Sequence, residues 1–376
     1  MASAWAQTRA RERIVALGEA GLDHRDLRRQ ILTVLGEVIA FDFFAWLLTD
    51  PVTAVGAAPL AEAPRVDELP ALIKAKYATS VNRWTTLLRQ APPVRLLSEA
   101  TGGELARSRA WREAMTRYGV SDVASAVFAD QYGCWGFLDL WRHRSHGPFD
   151  PADADFLATL TAPLARALRR CQARTFIEPA AVHRHDTGPV VLTLDDGLRI
   201  TSRTAASQAW LDVLLPPGPS EQAVPASVYN VAAQLLAAEQ GIDDHPAVTR
   251  THLAGGFWLT LRAARLGQEP PASAADGGTI VVTIEEASAA DRLDLFGRAF
   301  GFTARERELL SLLAIGSDTR ALARQMSLSE HTVQDHLKAI FAKTDSRDRI
   351  TLLSRALGTR LSDADDRSVA RGRPAP

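Results

Sequence analysis

At 376 residues the chain is long enough for two or three domains. Its formal net charge of −1, with 46% hydrophobic and 23% charged residues, is typical of a soluble globular protein. The longest apolar runs are too short to cross a membrane, and the first residues lack the basic and apolar segments of a signal peptide. The two cysteines, Cys134 and Cys171, exclude a disulfide framework and a cysteine metal set, which suits a reducing cytoplasm.

The first half of the chain predicts a helical start followed by one mixed α and β domain. Leu27, Ile31 and Leu35 have helical spacing and predict a helix that buries one face, while Asp50–Pro51 predicts a turn between two strands. In chain order we expect helices over 5–21 and 23–40, strands on both sides of Asp50–Pro51, a helix-rich stretch over 67–119, strands over 123–130 and 134–143, and a helix over 148–174. The N-terminal helix is assigned to residues 1–22 and the domain to residues 23–175.

A linker over 176–188 separates this domain from a second one over 189–290. The sequence Asp195-Asp196-Gly197 between two β-like segments predicts a hairpin. Helices over 205–214 and 225–239 follow, and then a long hairpin formed by 255–266 and 279–287. Strands, helices and a hairpin in this order favour a small α+β domain. No internal sequence repeat is evident.

The C-terminal residues predict an all-α module over 293–360 that contains four short helices, followed by a disordered tail over 361–376. Thr303 with Glu306 three residues later is a capping box at the start of the first helix. Gly316 ends that helix, and Ser329 is expected to cap the third. Two helices joined by a tight turn, the second with polar residues outward, form a helix-turn-helix.

The third helix of this module has two different faces. Val333, Leu337 and Ile340 recur at helical spacing and predict a buried face. On the other side lie four polar residues that we call the recognition stripe: His331, Gln334, Asp335 and Lys338.

Charge supports an interface with nucleic acid in this region. Residues 301–376 contain 13 Lys and Arg against 10 Asp and Glu, and the rest of the chain contains 30 against 34. A basic end on an acidic body indicates one nucleic-acid-binding module attached to a larger part that does not bind nucleic acid. The alternative for the module is a small helical domain that contacts other proteins.

The module has a spaced pattern of nine residues: Thr303, Glu306, Leu310, Gly316, Ser329, Thr332, Val333, His336 and Lys343. In this pattern the module resembles the LuxR-type (NarL-like) DNA-binding domain. The resemblance implies that the third helix enters the major groove and that the fourth tends to make a dimer contact. It implies a homodimer on double-stranded DNA and leaves contact with RNA polymerase open. Gln334 and Asp335 stand where the family commonly has a lysine and an apolar residue, so no target sequence is carried over.

Side-chain chemistry divides the expected DNA contacts into two groups. Gln334 can pair with adenine, Lys338 with guanine and Asp335 with the amino group of cytosine, whereas hydroxyl and basic side chains beside the helix can bind phosphates. Asp335 can alternatively hold Lys338 three residues later. The residues expected at the DNA are Thr319, Arg324, Ser329, His331, Thr332, Gln334, Asp335, Lys338, Lys343 and Arg347.

The two upstream domains resemble sensor domains. Residues 23–175 resemble a GAF-type domain in their first helix, the strand-turn over 41–51 and the strand and helix that close the domain; residues 189–290 resemble a PAS-like fold through their hairpins. Such domains commonly enclose small ligands or mediate dimers. Five residues are expected at a ligand cavity: Trp46, Tyr77, Trp84, Trp111 and Phe128. The simpler alternative, that the aromatic residues form core and interface, is favoured.

No pattern indicates catalysis, a cofactor or a metal. The chain lacks a Gly-x-x-x-x-Gly-Lys phosphate loop and a Gly-x-Ser-x-Gly elbow. His183, His185 and Asp186 lack a third ligand cluster, and Asp243-Asp244-His245 is expected to be a solvated turn. The sequence therefore predicts a cytoplasmic, nucleoid-associated transcription regulator controlled by a small ligand or partner. The alternative is a sensor that acts through protein contacts with its C-terminal domain sequestered.

Overall fold

The computed structural model describes residues 3–62, 68–177, 190–207, 226–253, 257–267 and 278–358. The chain divides into two compact units. The N-terminal unit comprises residues 1–172, 184–253 and 258–287, and the C-terminal unit comprises 173–183, 254–257 and 288–376. Within the described residues, no helix is both long enough and apolar enough to span a membrane.

The first part of the N-terminal unit contains an antiparallel five-stranded sheet of order β2-β1-β5-β4-β3. Its strands are β1 (Phe43–Thr49), β2 (Gly56–Glu62), β3 (Val94–Leu96), β4 (Val120–Asp130) and β5 (Gly133–His143). Its helices are α1 (Ala4–Glu19), α2 (His24–Gly36), α3 (Leu69–Tyr77), α4 (Trp84–Leu87), α5 (Leu97–Thr101), α6 (Arg109–Glu113) and α7 (Pro151–Arg174), with 3-10 turns at Leu105–Arg107 and Met115–Tyr118. Strand β3 lies within the stretch that the sequence predicted as helix-rich, and its three residues are too few to show a strand pattern.

The main hydrophobic core lies between this sheet and helices α1, α2 and α7. Trp46 of β1 and Phe128 of β4 point to this side, with ring centroids 5.4 Å apart. Ile31 of α2 and Leu160 of α7 are completely buried against them. Because side chains alternate along a strand, Ala45 and Leu47 point to the opposite face of the sheet.

A second antiparallel sheet in the same unit has the order β7-β6-β10-β9-β8. Its elements are β6 (Val190–Leu194), β7 (Ile200–Arg203), α8 (Ala226–Glu239), β8 (Val248–Leu253), β9 (Phe257–Leu266) and β10 (Thr279–Glu286). If the strands of each sheet are numbered by their order along the chain, both sheets have the same arrangement of neighbours: second, first, fifth, fourth and third strand. This shared topology is a structural repetition that the sequence does not reveal, because the two halves share no recognisable sequence pattern.

Buried polar contacts connect the two sheets within the N-terminal unit. Asp50 follows β1 and pairs with Arg250 of β8, and both side chains are almost completely buried. Arg83 precedes α4 and pairs with Asp243, which is 2% exposed. The expectation that Asp243 lies in a solvated turn is wrong, because its carboxylate also accepts hydrogen bonds from Thr85 and from the backbone N–H of His245.

The C-terminal unit contains five helices among its described residues. They are α9 (Ala289–Ala299), α10 (Ala304–Ala314), α11 (Thr319–Gln325), α12 (Glu330–Thr344) and α13 (Arg349–Leu357). Helix α9 was not predicted, although Ser288 caps it by accepting from the backbone N–H of Asp291. Arg292 of α9 donates to the carbonyl oxygens of Ala356 and Arg355 at the end of α13, so the bundle begins before residue 293, where the sequence placed its start.

Several predicted features fall outside the described residues. These are most of the helix over 205–214, the tail over 361–376, most of the linker over 176–188, and His183, His185 and Asp186. The predicted helix over 225–239 is confirmed as α8, and the predicted capping box of Thr303 and Glu306 is confirmed in α10.

Candidate nucleic-acid interface

Helices α11 and α12 are joined by a tight turn in the C-terminal unit. Asp318 caps α11, and Ser329 caps α12 by accepting from the backbone N–H of Thr332 at 3.0 Å. Between the helices, Ser327 has a φ of 55°, and the N–H of Leu328 donates to the carbonyl of Ala323 at 2.9 Å. A single left-handed residue turns the chain sharply enough to set α12 against α11.

The two faces of α12 differ in burial as the sequence predicted. Val333, Leu337 and Ile340 are each 2% exposed or less. The members of the recognition stripe are exposed: His331, Gln334, Asp335 and Lys338. Burial of the apolar face fixes the helix, so the stripe projects from a rigid support rather than from a loop.

Polar side chains within the recognition stripe lie close to one another. Lys338 Nζ donates to Asp335 Oδ1 at 3.2 Å, and His331 Nε2 lies 3.6 Å from Asp335 Oδ2. Both contacts are exposed to solvent, so each contributes little to stability. The geometry places Lys338 beside Asp335, which is the arrangement expected if Asp335 holds the lysine.

The residues expected to bind phosphates differ in their exposure and in whether another side chain already forms a hydrogen bond with them. Arg324 and Arg347 are exposed. The hydroxyls of Ser329 and Thr332 lie 2.8 Å apart on the surface at the start of α12, where backbone N–H groups and the helix dipole favour an anion. Thr319 accepts a hydrogen bond of 2.7 Å from Arg349.

Lys343 has a structural contact that the sequence did not reveal. Its ammonium lies 2.6 and 2.9 Å from the carboxylate oxygens of Glu306 and donates to the carbonyl oxygen of Gly301 at 3.1 Å. Burial by itself raises the pKa of Glu306, but hydrogen bonds from Lys343 and from the backbone of Thr303 outweigh it, so the pKa lies below its usual range. The capping box therefore also connects α10 to α12.

The luxR family of bacterial regulatory proteins matches residues 301–356. Residues 301–356 belong to that family. The match covers α10 to α13 and includes the whole recognition stripe. The LuxR-type domain is thus identified by its sequence and has the exposed stripe and buried face expected of a helix-turn-helix.

Two curated relatives match the same part of the chain. The Monoamine regulon transcriptional regulator of Klebsiella aerogenes is 43% identical over 53 residues, which are 14% of this chain and 23% of that protein. Transcriptional regulatory protein DesR of Bacillus subtilis (strain 168) is 33% identical over 63 residues, 17% of this chain and 32% of that protein. The chain therefore spans less than a third of the length of either relative.

Solved structures show a weaker likeness over longer stretches. A crystal structure of Escherichia coli SdiA is 12% identical, covers 94% of this chain and 98% of its own, and has a TM-score of 0.32. The VqmA–ligand–DNA complex of Vibrio cholerae is 17% identical, covers 46% of this chain and 83% of its own, and has a TM-score of 0.21. TM-scores this low establish neither a shared fold nor a shared ligand.

The N-terminal unit contains a cavity of about 60 Å³, and Tyr77 is the one residue of the predicted ligand set in its lining. Trp46 and Phe128 pack on the other face of the sheet. Trp84 is buried, stacks on Phe137 and donates to the carbonyl of Ala54 at 2.8 Å. Trp111 is half-buried and donates to the carbonyl of Val120 at 2.9 Å. These contacts agree with the favoured alternative that the aromatic residues serve the core.

The sequence analysis did not select Asn230, which also lines the cavity. Asn230 lies in the mainly apolar helix ASVYNVAAQLLAAE, α8, which also buries Ser227 and Gln234, so its polarity alone did not distinguish it.

Proposed function

We propose that this protein is a sequence-specific DNA-binding transcription regulator whose LuxR-type domain is controlled through the N-terminal unit. The observation that carries the proposal is the recognition stripe, which is exposed on a helix whose other face is completely buried. A short rigid helix with exposed amide, carboxylate and amine groups fits the major groove, where each base pair presents a distinct pattern of donors and acceptors.

The proposed contacts fall into base recognition and phosphate binding. Gln334 pairs with an adenine and Lys338 with a guanine, while Asp335 accepts from a cytosine amino group or positions Lys338. Ser329, Thr332, Thr319, Arg324 and Arg347 bind phosphates and set the register of the helix on the duplex. Lys343 stabilises the domain through Glu306 instead of binding a phosphate, because both carboxylate oxygens of Glu306 already hold its ammonium.

Helix α13 supports the proposal of a homodimer. Leu352 and Ala356 face the interior of the C-terminal unit, whereas Ile350 on the other side is 66% exposed and Leu353 is half-buried. An exposed apolar residue beside a half-buried one is suited to a contact between two copies. Two domains paired in this way present two copies of α12 to adjacent half-sites on DNA.

Control is proposed to lie in the two sheets of the N-terminal unit, which act as GAF-like and PAS-like sensor domains. A ligand or partner that binds one arrangement of these domains better than another shifts the population of DNA-binding protein. The function proposed is regulatory rather than enzymatic, and the site of action is the cytoplasm.

Selection from random duplex DNA by the 376-residue chain at low salt tests this proposal. We expect enrichment of a two-part site whose sequence changes when Gln334 or Lys338 is replaced by alanine. Arg305→Ala is the matched control, since Arg305 is exposed on α10 and pairs with Glu308, outside the recognition stripe. Absence of any enriched sequence would overturn the proposal and would favour a sensor that acts through protein contacts.

A further inference from the structure

The end of helix α7 belongs to a different compact unit from the rest of the helix. Leu160 of α7 is completely buried in the main core of the first sheet, whereas residues 173–183 belong to the C-terminal unit. One more turn follows the helix, in which the N–H of Phe176 donates to the carbonyl oxygen of Ala173 at 3.2 Å. The same segment of chain is therefore part of both units.

Phe176 is the apolar side chain that this last turn buries in the C-terminal unit. It is 4% exposed, and its ring packs edge-on against Phe296 of α9, with centroids 5.3 Å apart and planes at 86°. The guanidinium of Arg292, four residues earlier on the same face of α9, lies 5.4 Å from the centroid of the Phe176 ring. An edge-on aromatic pair and a cation over a ring both add attraction to the burial of the ring. Phe176 is thus held by two residues of α9.

Arg292 connects this contact to α13. Its guanidinium donates to the carbonyl oxygens of Ala356 at 3.2 Å and Arg355 at 3.3 Å, at the end of α13. Gly358 ends that helix with a φ of 72°, and a Cβ atom there would lie 2.7 Å from the guanidinium carbon of Arg292. The end of α13, the helix proposed to pair two copies, is therefore packed closely around the arginine that covers Phe176.

Phe296 connects the same contact to α12. Its ring is completely buried and lies 5.8 Å from the ring of Phe302 in an edge-on arrangement. The ammonium of Lys343, in the last turn of α12, lies 5.9 Å from the centroid of the Phe302 ring. Phe296 and Phe302 therefore form a continuous packed path from Phe176 to the helix that carries the recognition stripe.

The match to the luxR family does not explain this contact, because α9 and Phe176 both lie outside residues 301–356. Energetic coupling between two parts of a protein is carried by packed side chains and rigid elements. Helix α7 has 24 residues and is about 36 Å long, so it is such an element. One of its ends is fixed in the core of the first sheet, and the other packs on a helix that precedes the DNA-binding domain.

We propose that α7, packed on α9 through Phe176, is the element through which the N-terminal unit controls the LuxR-type domain. A change in the packing of α7 on the first sheet moves Phe176, because the helix moves as one body. The movement loosens α9 and so weakens the contacts of Arg292 with α13 and of Phe296 with Phe302. The consequence for DNA rests on the proposed function, whereas the coupling between α7 and α9 is a property of the folded chain.

Hydrogen exchange of the backbone amides of α9, measured by mass spectrometry in the 376-residue chain, tests the coupling. Leu160→Ala leaves a cavity beside α7 and is expected to speed this exchange by about threefold or more. In a chain that also carries Phe176→Ala, the same change should have no effect on α9, because α7 no longer packs there. Equal acceleration with and without Phe176, or no acceleration in either chain, would overturn the proposal. Leu160→Val is the milder replacement if Leu160→Ala does not fold.

Two further variants separate coupling from simple packing. Phe300→Ala removes another ring that lies 4.5 Å from Phe296 but belongs to the C-terminal unit alone. It is expected to speed the exchange of α9 and to keep the response to Leu160→Ala. Phe176→Leu retains an apolar side chain and should keep part of that response. Loss of the response in Phe300→Ala as well would show that Phe176 only stabilises α9 and would contradict the proposal.

DNA titrations with the same proteins separate this inference from the proposed function. Leu160→Ala is expected to change the dissociation constant for the selected duplex by about threefold or more, and Phe176→Ala should abolish that change. A chain that selects a DNA site but shows no dependence of α9 exchange on Leu160 refutes the inference alone. A chain in which that dependence is present and requires Phe176, but which selects no DNA, refutes the proposed function alone.

Discussion

Arg250 and Asp50, 200 residues apart in the sequence, form a buried ion pair inside the N-terminal unit. The guanidinium donates from Nε to Oδ2 at 2.6 Å and from a terminal nitrogen to Oδ1 at 3.0 Å, and the backbone N–H of Arg250 adds a third bond of 3.0 Å. Asp50 also accepts from the N–H groups of Val52 and Thr53. The two sheets are therefore connected by a pair whose geometry satisfies most of the hydrogen-bonding capacity of the carboxylate.

Arg250→Met is expected to destabilise the N-terminal unit by about 3–5 kcal/mol, because it leaves the carboxylate of Asp50 buried without its cation. Urea unfolding measures this loss. The double variant with Asp50→Asn should lose less than the sum of the single changes, since the uncompensated charge is gone. Arg262→Ala is the control, because the pair of Arg262 with Glu285 is about half exposed and contributes little. Equal effects of Arg250→Met and Arg262→Ala would contradict this account.

His245 is expected to make the stability depend on pH near neutrality. The hydrogen bond to Asp243, 2.6 Å long, raises the pKa of His245. A raised folded-state pKa stabilises the protein below the unfolded value of about 6.5, and this contribution is lost as pH rises through the folded pKa. His245→Gln should remove that loss, which unfolding measurements between about pH 6 and pH 9 detect.

Wild type has to be compared with His245→Gln because protonation of His24 changes the stability with pH in the opposite direction. Burial, assisted by the charge of Arg28, lowers the pKa of His24 to about 4. The unfolded chain therefore takes up that proton first, and stability falls as pH drops below about 6.5. Wild type and His245→Gln share this term, so only their difference reports His245. Identical profiles for the two proteins would argue against a stabilising role of the protonated imidazole.

Lys343→Met is expected to destabilise the C-terminal unit by about 1–3 kcal/mol, because Glu306 is 5% exposed and loses its cation. The pKa of Glu306 is held below its usual range, so its contribution is present above about pH 4.5 and is lost as pH falls through the folded pKa. Thermal unfolding should show a weaker acid sensitivity in the variant. If Lys343→Met instead retains wild-type stability and weakens binding to every DNA sequence, Lys343 is a phosphate contact.

Lys338→Ala is expected to weaken binding to the selected DNA site by about 1–3 kcal/mol, since a bidentate contact with guanine contributes that much discrimination. Titration of the preferred site and of a scrambled duplex measures the effect. A loss that is equal on both duplexes would show that Lys338 contacts phosphate only.

Asp335→Ala distinguishes the two roles of the carboxylate beside Lys338. If Asp335 accepts from a cytosine, its removal should relax the preference at one base pair while non-specific affinity stays the same or rises, because repulsion from phosphates is removed. If it only positions Lys338, the preference should be relaxed at the base pair that Lys338→Ala also affects. An unchanged preference profile would exclude both roles.

The helix caps and the buried helix face of the C-terminal unit could be predicted from the sequence. The capping box of Thr303 and Glu306, the cap at Ser329 and the buried face of α12 all depend on residues within a few positions of each other, and helical periodicity makes such relations visible in a sequence. Helix α9 was missed although Ser288 caps its start. Its contact with α13 is made by Arg292, which donates to a carbonyl 64 residues later in the chain, and a sequence does not show such a contact.

The sequence by itself determined the LuxR-type domain, its recognition stripe and the expectation of two α+β domains before it, because these follow from the spacing and order of residues within each element. Only the tertiary structure decided that Lys343 holds Glu306, that Arg250 pairs with Asp50, and that Arg83 pairs with Asp243. Each of these relations joins residues distant in the chain, and what a buried polar group does depends on the partner that folding brings within about 3 Å of it.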